Sequence, residues 1–183
     1  MKKIILASAS PRRRELLGQL TEVFEVVPSG AEETITETNP YDMVCALARV
    51  KAEWVAEQYP DAVVIGADTM VYLEDEPLGK PHDIGEAREM LKKLSGRVHQ
   101  VYTGVCVIAD GKVMTDAACT DVHFAKLSDE EIERYLDTNE SMDKAGAYGI
   151  QGYAARFIER IDGCYFNVVG LPLRLLYTML NKI

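Results

Sequence analysis

Apolar and polar positions along the chain fall into short blocks separated by clear punctuation. Ile4-Ile5-Leu6 is a uniformly apolar run and reads as a buried strand, followed by a short Ser8-Ala9-Ser10 turn. Pro11 fits the first helical position, where its missing N–H costs nothing, and Ser10 fits the N-cap before it. Phe24 to Pro28 reads as a short strand stopped by proline, and residues 29–39 are polar and hold the pair Glu32-Glu33. Val44, Leu47, Ala48, Val55 and Ala56 recur at helical spacing and predict an amphipathic helix from Asp42 to Tyr59. Asp61 to Leu73 is strongly apolar, with Gly66-Ala67-Asp68-Thr69 interrupting it. Glu74-Asp75-Glu76 then reads as a tight turn, and Leu78-Gly79-Lys80-Pro81 as the returning arm.

A second amphipathic helix is predicted over Asp83–Leu94. Val98 to Ile108 and Val113 to Phe124 form a hairpin about Asp110-Gly111. Ser128 to Glu131 carries a Ser-x-x-Glu capping box that opens a helix running to about Asp137. A glycine-rich loop spans Asp143–Gly152, a strand Phe157–Ile161, and a last helix Pro172–Leu180. Strands and helices alternate early and strands pair by hairpins later, which predicts a mixed α/β sheet rather than a purely parallel one.

Composition narrows the function. The 183 residues suffice for one sizeable domain, and no apolar run approaches the ~20 residues needed to span a bilayer. The start is too short for a signal peptide. A net charge of −9 argues against a general nucleic-acid binder but leaves room for a local basic pocket. The four cysteines form no C-x-x-C pair, which points to a reducing cytoplasm, and the three histidines lack the spacing of a zinc site.

Several residues carry candidate chemistry. Arg12, Arg13 and Arg14 crowd the first turn of a helix, where the macrodipole disfavours cations. With Ser8, Ser10 and free N–H groups they would form a strong anion trap, although solvated arginines would also fit the pattern. Asp68 lies inside an apolar strand segment, where a carboxylate needs a cation, a metal or several donors. The bland alternative is a bend at Gly66–Thr69 with local backbone satisfying it. Glu32 or Glu33, with Asp68, would suit Mg²⁺ beside a phosphate chain. Lys51 and Lys80 are individually ordinary, though Gly79 and Pro81 fix the backbone around Lys80. Gln151, inside the glycine loop, can both donate and accept, as reading an imide edge requires.

Six segments together resemble the Maf family, in order and over essentially the whole chain. They are Ser8-Ala9-Ser10-Pro11-Arg12-Arg13, Gly66-Ala67-Asp68-Thr69, Gly79-Lys80-Pro81, Leu94-Ser95-Gly96-Arg97, Asp143 to Gly152 and Asn167 to Pro172. The resemblance implies a single domain, residues 1–183, with a curved mixed sheet and flanking helices in two lobes around a cleft, as in the inosine triphosphate pyrophosphatases. It also implies a cytoplasmic nucleoside triphosphate pyrophosphatase with a house-cleaning role. Gly149-Ile150-Gln151-Gly152, with Arg12 and Thr69, is similar to the branch acting on dTTP and UTP. Cys164 stands where that family more often has serine.

The reaction so implied converts a triphosphate and water to the monophosphate and pyrophosphate. Arg13, Lys51 and Lys80 would neutralise the phosphates, and Glu33 with Asp68 would hold Mg²⁺ or Mn²⁺. Asp68 would orient and deprotonate the water, while Ser8, Ser10, Arg12, Thr69 and Gln151 would bind substrate. The family admits a homodimer. Two alternatives stand beside this reading: a nucleotide-sensing regulator of septum formation, and a pyrophosphatase for modified purine nucleotides such as 7-methyl-GTP.

Overall fold

A computed structural model describes residues 2–74 and 76–183; the expected turn at Glu74-Asp75-Glu76 therefore lies partly outside the described residues. The elements follow in the order β1 (Ile4–Leu6), α1 (Pro11–Leu17), β2 (Glu25–Val26), α2 (Pro40–Ala56), β3 (Val63–Leu73) and β4 (Glu76–Leu78). Then come α3 (Ile84–Leu94), β5 (Val98–Ala109), β6 (Lys112–Phe124), α4 (Asp129–Leu136), β7 (Ile158–Asp162), α5 (Tyr165–Val169) and α6 (Leu173–Leu180). Seven strands make one sheet in the order β2-β1-β3-β5-β6-β7, with β4 paired to β3. β1 runs parallel to β2 and β3, whereas β3–β4 and β6–β7 are antiparallel, so the sheet is mixed. Among the described residues no helix is long and apolar enough to cross a membrane.

The chain divides into two compact units, and β3, β5 and β6 each contribute residues to both. The first unit comprises the residues through Thr69 together with 103–118 and 170–183. Its core sets Ile5, Ala7, Val64 and Cys106 of the sheet segments against Ala48, Ala52 and Val55 of α2. Two glycines let that helix come close. A Cβ on Gly66 would lie 2.2 Å from the Ala48 carbonyl oxygen, and one on Gly104 would lie 2.2 Å from that of Val44. Gly66 to Thr69 is therefore no interruption: β3 runs unbroken for 11 residues, and its glycine marks a helix seat rather than a bend. The hairpin between β5 and β6 turns at Asp110 and Gly111, whose φ values of 52° and 73° suit the tight turn their sequence announced.

Helix α2 begins two residues before the expected Asp42, because Asn39 caps it by accepting from the Asp42 N–H at 2.9 Å and Pro40 fills the first position. This is the same pairing as Ser10-Pro11, where the Ser10 hydroxyl accepts from the Arg13 N–H at 3.4 Å.

The second unit comprises residues 70–102 and 119–169. Helices α3 and α4 bury Leu91, Leu94, Ile132 and Tyr135 with Val71, Val101, Val122 and Phe124 of the strands. The capping box of α4 is present in full, with Ser128 and Glu131 serving each other's N–H groups. Phe157 ends a short 3-10 segment, so β7 starts one residue later than expected, and α5 is an addition to the sequence reading.

Replacing Gly104 by alanine drives a methyl group into helix backbone, which cannot rotate away. The expected loss is about 3 kcal/mol, the upper part of the range for overpacking. Gly79, where an added Cβ meets nothing within 4 Å, is the control: Gly79→Ala is expected to stay within about 0.5 kcal/mol. Urea denaturation of both variants checks the contrast.

Candidate active site

In the first unit, Arg13 leaves helix α1 and folds back onto three neutral oxygens. Its Nε donates to the Gly170 carbonyl at 2.8 Å, one terminal nitrogen to Ser8 Oγ at 3.3 Å, and the other to Thr69 Oγ1 at 2.9 Å. Thr69 Oγ1 in turn lies 2.9 Å from Thr103 Oγ1. Of the five guanidinium N–H donors, these bonds engage three. Among the described residues, no carboxylate pairs with the cation held this way. Burial pushes its pKa down, the charge of Asp68 pulls it up, Arg12 pushes it down again, and Glu33 raises it. A guanidinium fixed by neutral partners keeps most of its field for an incoming anion.

The serines add to this. Ser8 Oγ accepts from the Ser10 N–H at 3.2 Å as well as from Arg13, and Ser10 Oγ accepts from the Arg13 N–H. Each hydroxyl therefore spends lone pairs on nitrogen donors, leaving its own O–H to turn toward a ligand. Arg12 is half-buried, and Arg14 is exposed. Sequence reading missed two partners here. Thr103 is a buried threonine within a strand, an ordinary strand residue, and the Gly170 group is a backbone carbonyl, which no side-chain pattern announces.

Beside this cage lies a second constellation. Period-two alternation puts Asp68 on the same face of β3 as Gly66, the face on which α2 sits. Lys51 is three residues beyond Ala48 on that helix, so the glycine seat delivers its ammonium to the carboxylate. Lys51 Nζ lies 2.5 Å from Asp68 Oδ1 and 3.1 Å from Glu33 Oε1. The side chains of Lys51 and Asp68 are each only 15% exposed, whereas that of Glu33 is 50% exposed. Of the two adjacent glutamates, Glu33 carries the contact. The trio holds two negative charges against one positive, and removing Lys51 alone would strand a largely buried carboxylate at a cost of about 3–5 kcal/mol.

The same oxygens fit a hard divalent cation. Glu33 and Asp68 already converge on one positive centre, and oxygen is the ligand Mg²⁺ prefers. Among the described residues no cluster of three or more His, Cys, Asp or Glu could hold a metal. A cation at this pair would complete its shell with water and ligand phosphates, as Mg²⁺ commonly does.

Lys80 and Gln151 belong to the second unit. Lys80 is exposed and lines a cavity of about 380 Å³ with Glu76, Leu78, Glu86, Met90 and Lys93 among others. The Gly79 carbonyl accepts from the Gly146 N–H at 3.0 Å, which ties the lysine turn to the glycine-rich loop. In that loop Gly146 and Gly152 have φ of 67° and 82°, and a Cβ on Gly152 would lie 2.5 Å from the Glu140 carboxylate. The same carboxylate accepts from the Tyr153 N–H at 3.0 Å. Tyr148 anchors the loop through a buried 2.6 Å hydrogen bond to His99. Burial pushes the His99 pKa down to about 4, so the ring is neutral near neutral pH. Gln151 is exposed on this braced loop.

The geometry can be set against known proteins. A protein from Bacillus cytotoxicus named dTTP/UTP pyrophosphatase is 50% identical over 183 residues, covering 100% of this chain and 96% of its own. One of the same name from Thermococcus gammatolerans is 52% identical over 176 residues, 96% of this chain and 94% of its own. One from Carboxydothermus hydrogenoformans is 49% identical, with 98% of each chain covered. The Ham1 protein of Staphylococcus aureus shares the fold, at a TM-score of 0.58 and 16% identity over 99% of both chains. The profile of the Maf family, described as Maf-like protein, matches residues 3–183. With that match and full-length relatives at half identity, the chain belongs to the Maf family.

Proposed function

We propose that this protein hydrolyses dTTP and UTP to the monophosphate and pyrophosphate, clearing these nucleotides from the pool. The observation that carries the reading is the pair of constellations in the first unit. A guanidinium held by neutral acceptors lies among hydroxyls, and two carboxylates converge on one cation. The first suits a phosphate chain, and the second suits a hydrolytic centre. The relatives' shared name supplies the substrate class.

In this reading a water attacks the α-phosphorus, and the bond to the oxygen bridging to the β-phosphorus breaks, so pyrophosphate leaves. The water's proton passes to the Asp68 carboxylate, which Lys51 holds in place. Glu33 and Asp68 are the residues that would hold Mg²⁺ or Mn²⁺, which when bound would screen phosphate charge and lower the pKa of a coordinated water. Arg13, Ser8 and Ser10 bind phosphate oxygens, and Arg13 stabilises charge building on the leaving group. Lys51 adds positive charge beside the chain of phosphates. Gln151 matches the carbonyl and N–H edge shared by uracil and thymine.

Asp68→Asn keeps the shape and removes the proton acceptor. Turnover with Mg²⁺ is expected to fall by about 10²–10⁴, the usual worth of a general base, with the melting curve still cooperative. Near-normal kcat in a pyrophosphate-release assay would assign the base elsewhere.

Inorganic pyrophosphate is expected to raise the melting temperature by mass action. Arg13→Ala should remove most of that shift, whereas the exposed Arg14→Ala should leave it intact. Equal responses in differential scanning fluorimetry would mean a diffuse basic patch.

Selectivity supplies the last check on this reading. A purine would leave buried polar groups unpaired at about 1–3 kcal/mol each. The expected kcat/KM for dTTP and UTP is therefore well above that for ATP and GTP, and Gln151→Ala should compress the ratio. A preference for 7-methyl-GTP, or an unchanged ratio in the variant, defeats the substrate assignment. Release of inorganic phosphate instead of pyrophosphate defeats the bond assignment.

A further inference from the structure

Glu33 lies in a segment with little structure of its own. Residues 27–38 form neither helix nor strand. The Val27 N–H bonds the Leu6 carbonyl at 3.0 Å, and among the described residues no further backbone-to-backbone bond holds the stretch from 28 to 38. A local turn, in which Ser29 Oγ accepts from the Ala31 N–H at 3.1 Å, shapes its start. Yet Glu33 has to meet Lys51 to within an ångström or so for the carboxylate pair to form.

The structure holds one further contact that can set this distance. Gly30 packs close to the indole of Trp54, the only tryptophan of the chain. A Cβ at Gly30 would lie 3.0 Å from Trp54 Cζ2, 3.4 Å from Cη2 and 3.5 Å from Cε2, so the ring fills the space that a side chain at this position would need. Trp54 and Lys51 are three residues apart on α2 and share one face of the helix. That face meets the loop twice: the indole receives Gly30, and the ammonium receives Glu33 three residues later. The indole remains 37% exposed, which is more than core filling alone would leave.

We propose that Trp54 is a positioning residue whose indole seats Gly30 and thereby fixes the register in which Glu33 reaches Lys51 and Asp68. The inference rests on the reading of Glu33 and Asp68 as ligands for a divalent cation. Without the seat, the loop must order itself at each binding event, and cation affinity falls while the chemistry, once the ion is bound, is unchanged. Supporting groups of this kind are typically worth ~10–100-fold in metal affinity.

The sole tryptophan supplies a readout that does not depend on turnover. The full-length protein is titrated with Mg²⁺ at fixed inorganic pyrophosphate while indole emission is followed. Emission is expected to change along a saturating curve, and Glu33→Gln is expected to shift that curve to higher Mg²⁺. In the activity assay, Trp54→Ala should raise half-saturating Mg²⁺ by ~10–100-fold with kcat at saturating Mg²⁺ retained. Trp54→Phe should restore most of the affinity, and Gly30→Ala should give a smaller shift in the same direction. An emission that stays flat while half-saturating Mg²⁺ is unchanged in Trp54→Ala overturns the inference. So does a Trp54→Ala variant that loses kcat and melting temperature together without a shift in Mg²⁺ dependence, because that marks a purely structural role. A wild type that gives the emission curve but releases no pyrophosphate from dTTP or UTP fails the proposed function and leaves the seat standing.

Discussion

The close approach of α2 to the sheet is the constraint on which the rest depends. Helix backbone can lie against strand backbone only where no Cβ intervenes, and Gly66 and Gly104 provide those two openings. Once the helix is seated, strand alternation and helical spacing decide the rest. Asp68 follows Gly66 by two residues and Lys51 follows Ala48 by three, so a packing contact becomes an ion pair 2.5 Å long. A half-buried carboxylate in the middle of β3 is tolerable for that reason alone. The same helix then offers Lys51 to Glu33, drawing an otherwise unstructured segment to the site.

Lys51 and Arg13, both in this unit, are treated in opposite ways. Lys51 is paired with carboxylates, which take up part of its charge within the protein. Arg13 is bonded to two hydroxyls and a carbonyl, neutral groups that fix its orientation without neutralising its charge. A geometry that is rigid but electrostatically incomplete favours an anion of the right shape, since little ordering remains to be done when it arrives. The difference arises from the partners that each element can bring, a β-strand threonine and a loop carbonyl in one case and a β-strand aspartate and a loop glutamate in the other.

Much of this was legible in the chain. Ser10-Pro11 announced α1, Asp110-Gly111 the hairpin, and Ser128 to Glu131 the start of α4, because each is a local device whose partner lies within four residues. Asn39-Pro40 is the same device as Ser10-Pro11, but the apolar periodicity begins only later, so periodicity alone starts α2 too late. Gly66 looked like a break because a glycine inside a strand signals either a bend or a close approach, and only the helix 18 residues earlier in the sequence decides between them. Asp68, Lys51 and Arg13 could be named from residue type and setting. Their partners could not, since Thr103 and the Gly170 carbonyl lie far away in sequence, and nothing local distinguishes Glu33 from Glu32 in a loop without period.

The bond between Arg13 and Gly170 joins residues 157 positions apart. During synthesis the arginine, both serines and the threonine at 69 are made long before the carbonyl that completes the cage. Until residue 170 has been added, the guanidinium lacks one of its three fixed partners, and α6, which follows Gly170 directly, cannot pack into the first unit. Contacts of such long range form late and slowly in folding, because the loop between them must be closed first. A nascent or C-terminally shortened chain would thus carry most of the residues of the proposed phosphate site and still lack the carbonyl that completes the Arg13 cage, so the finished cage belongs to the late stages of folding.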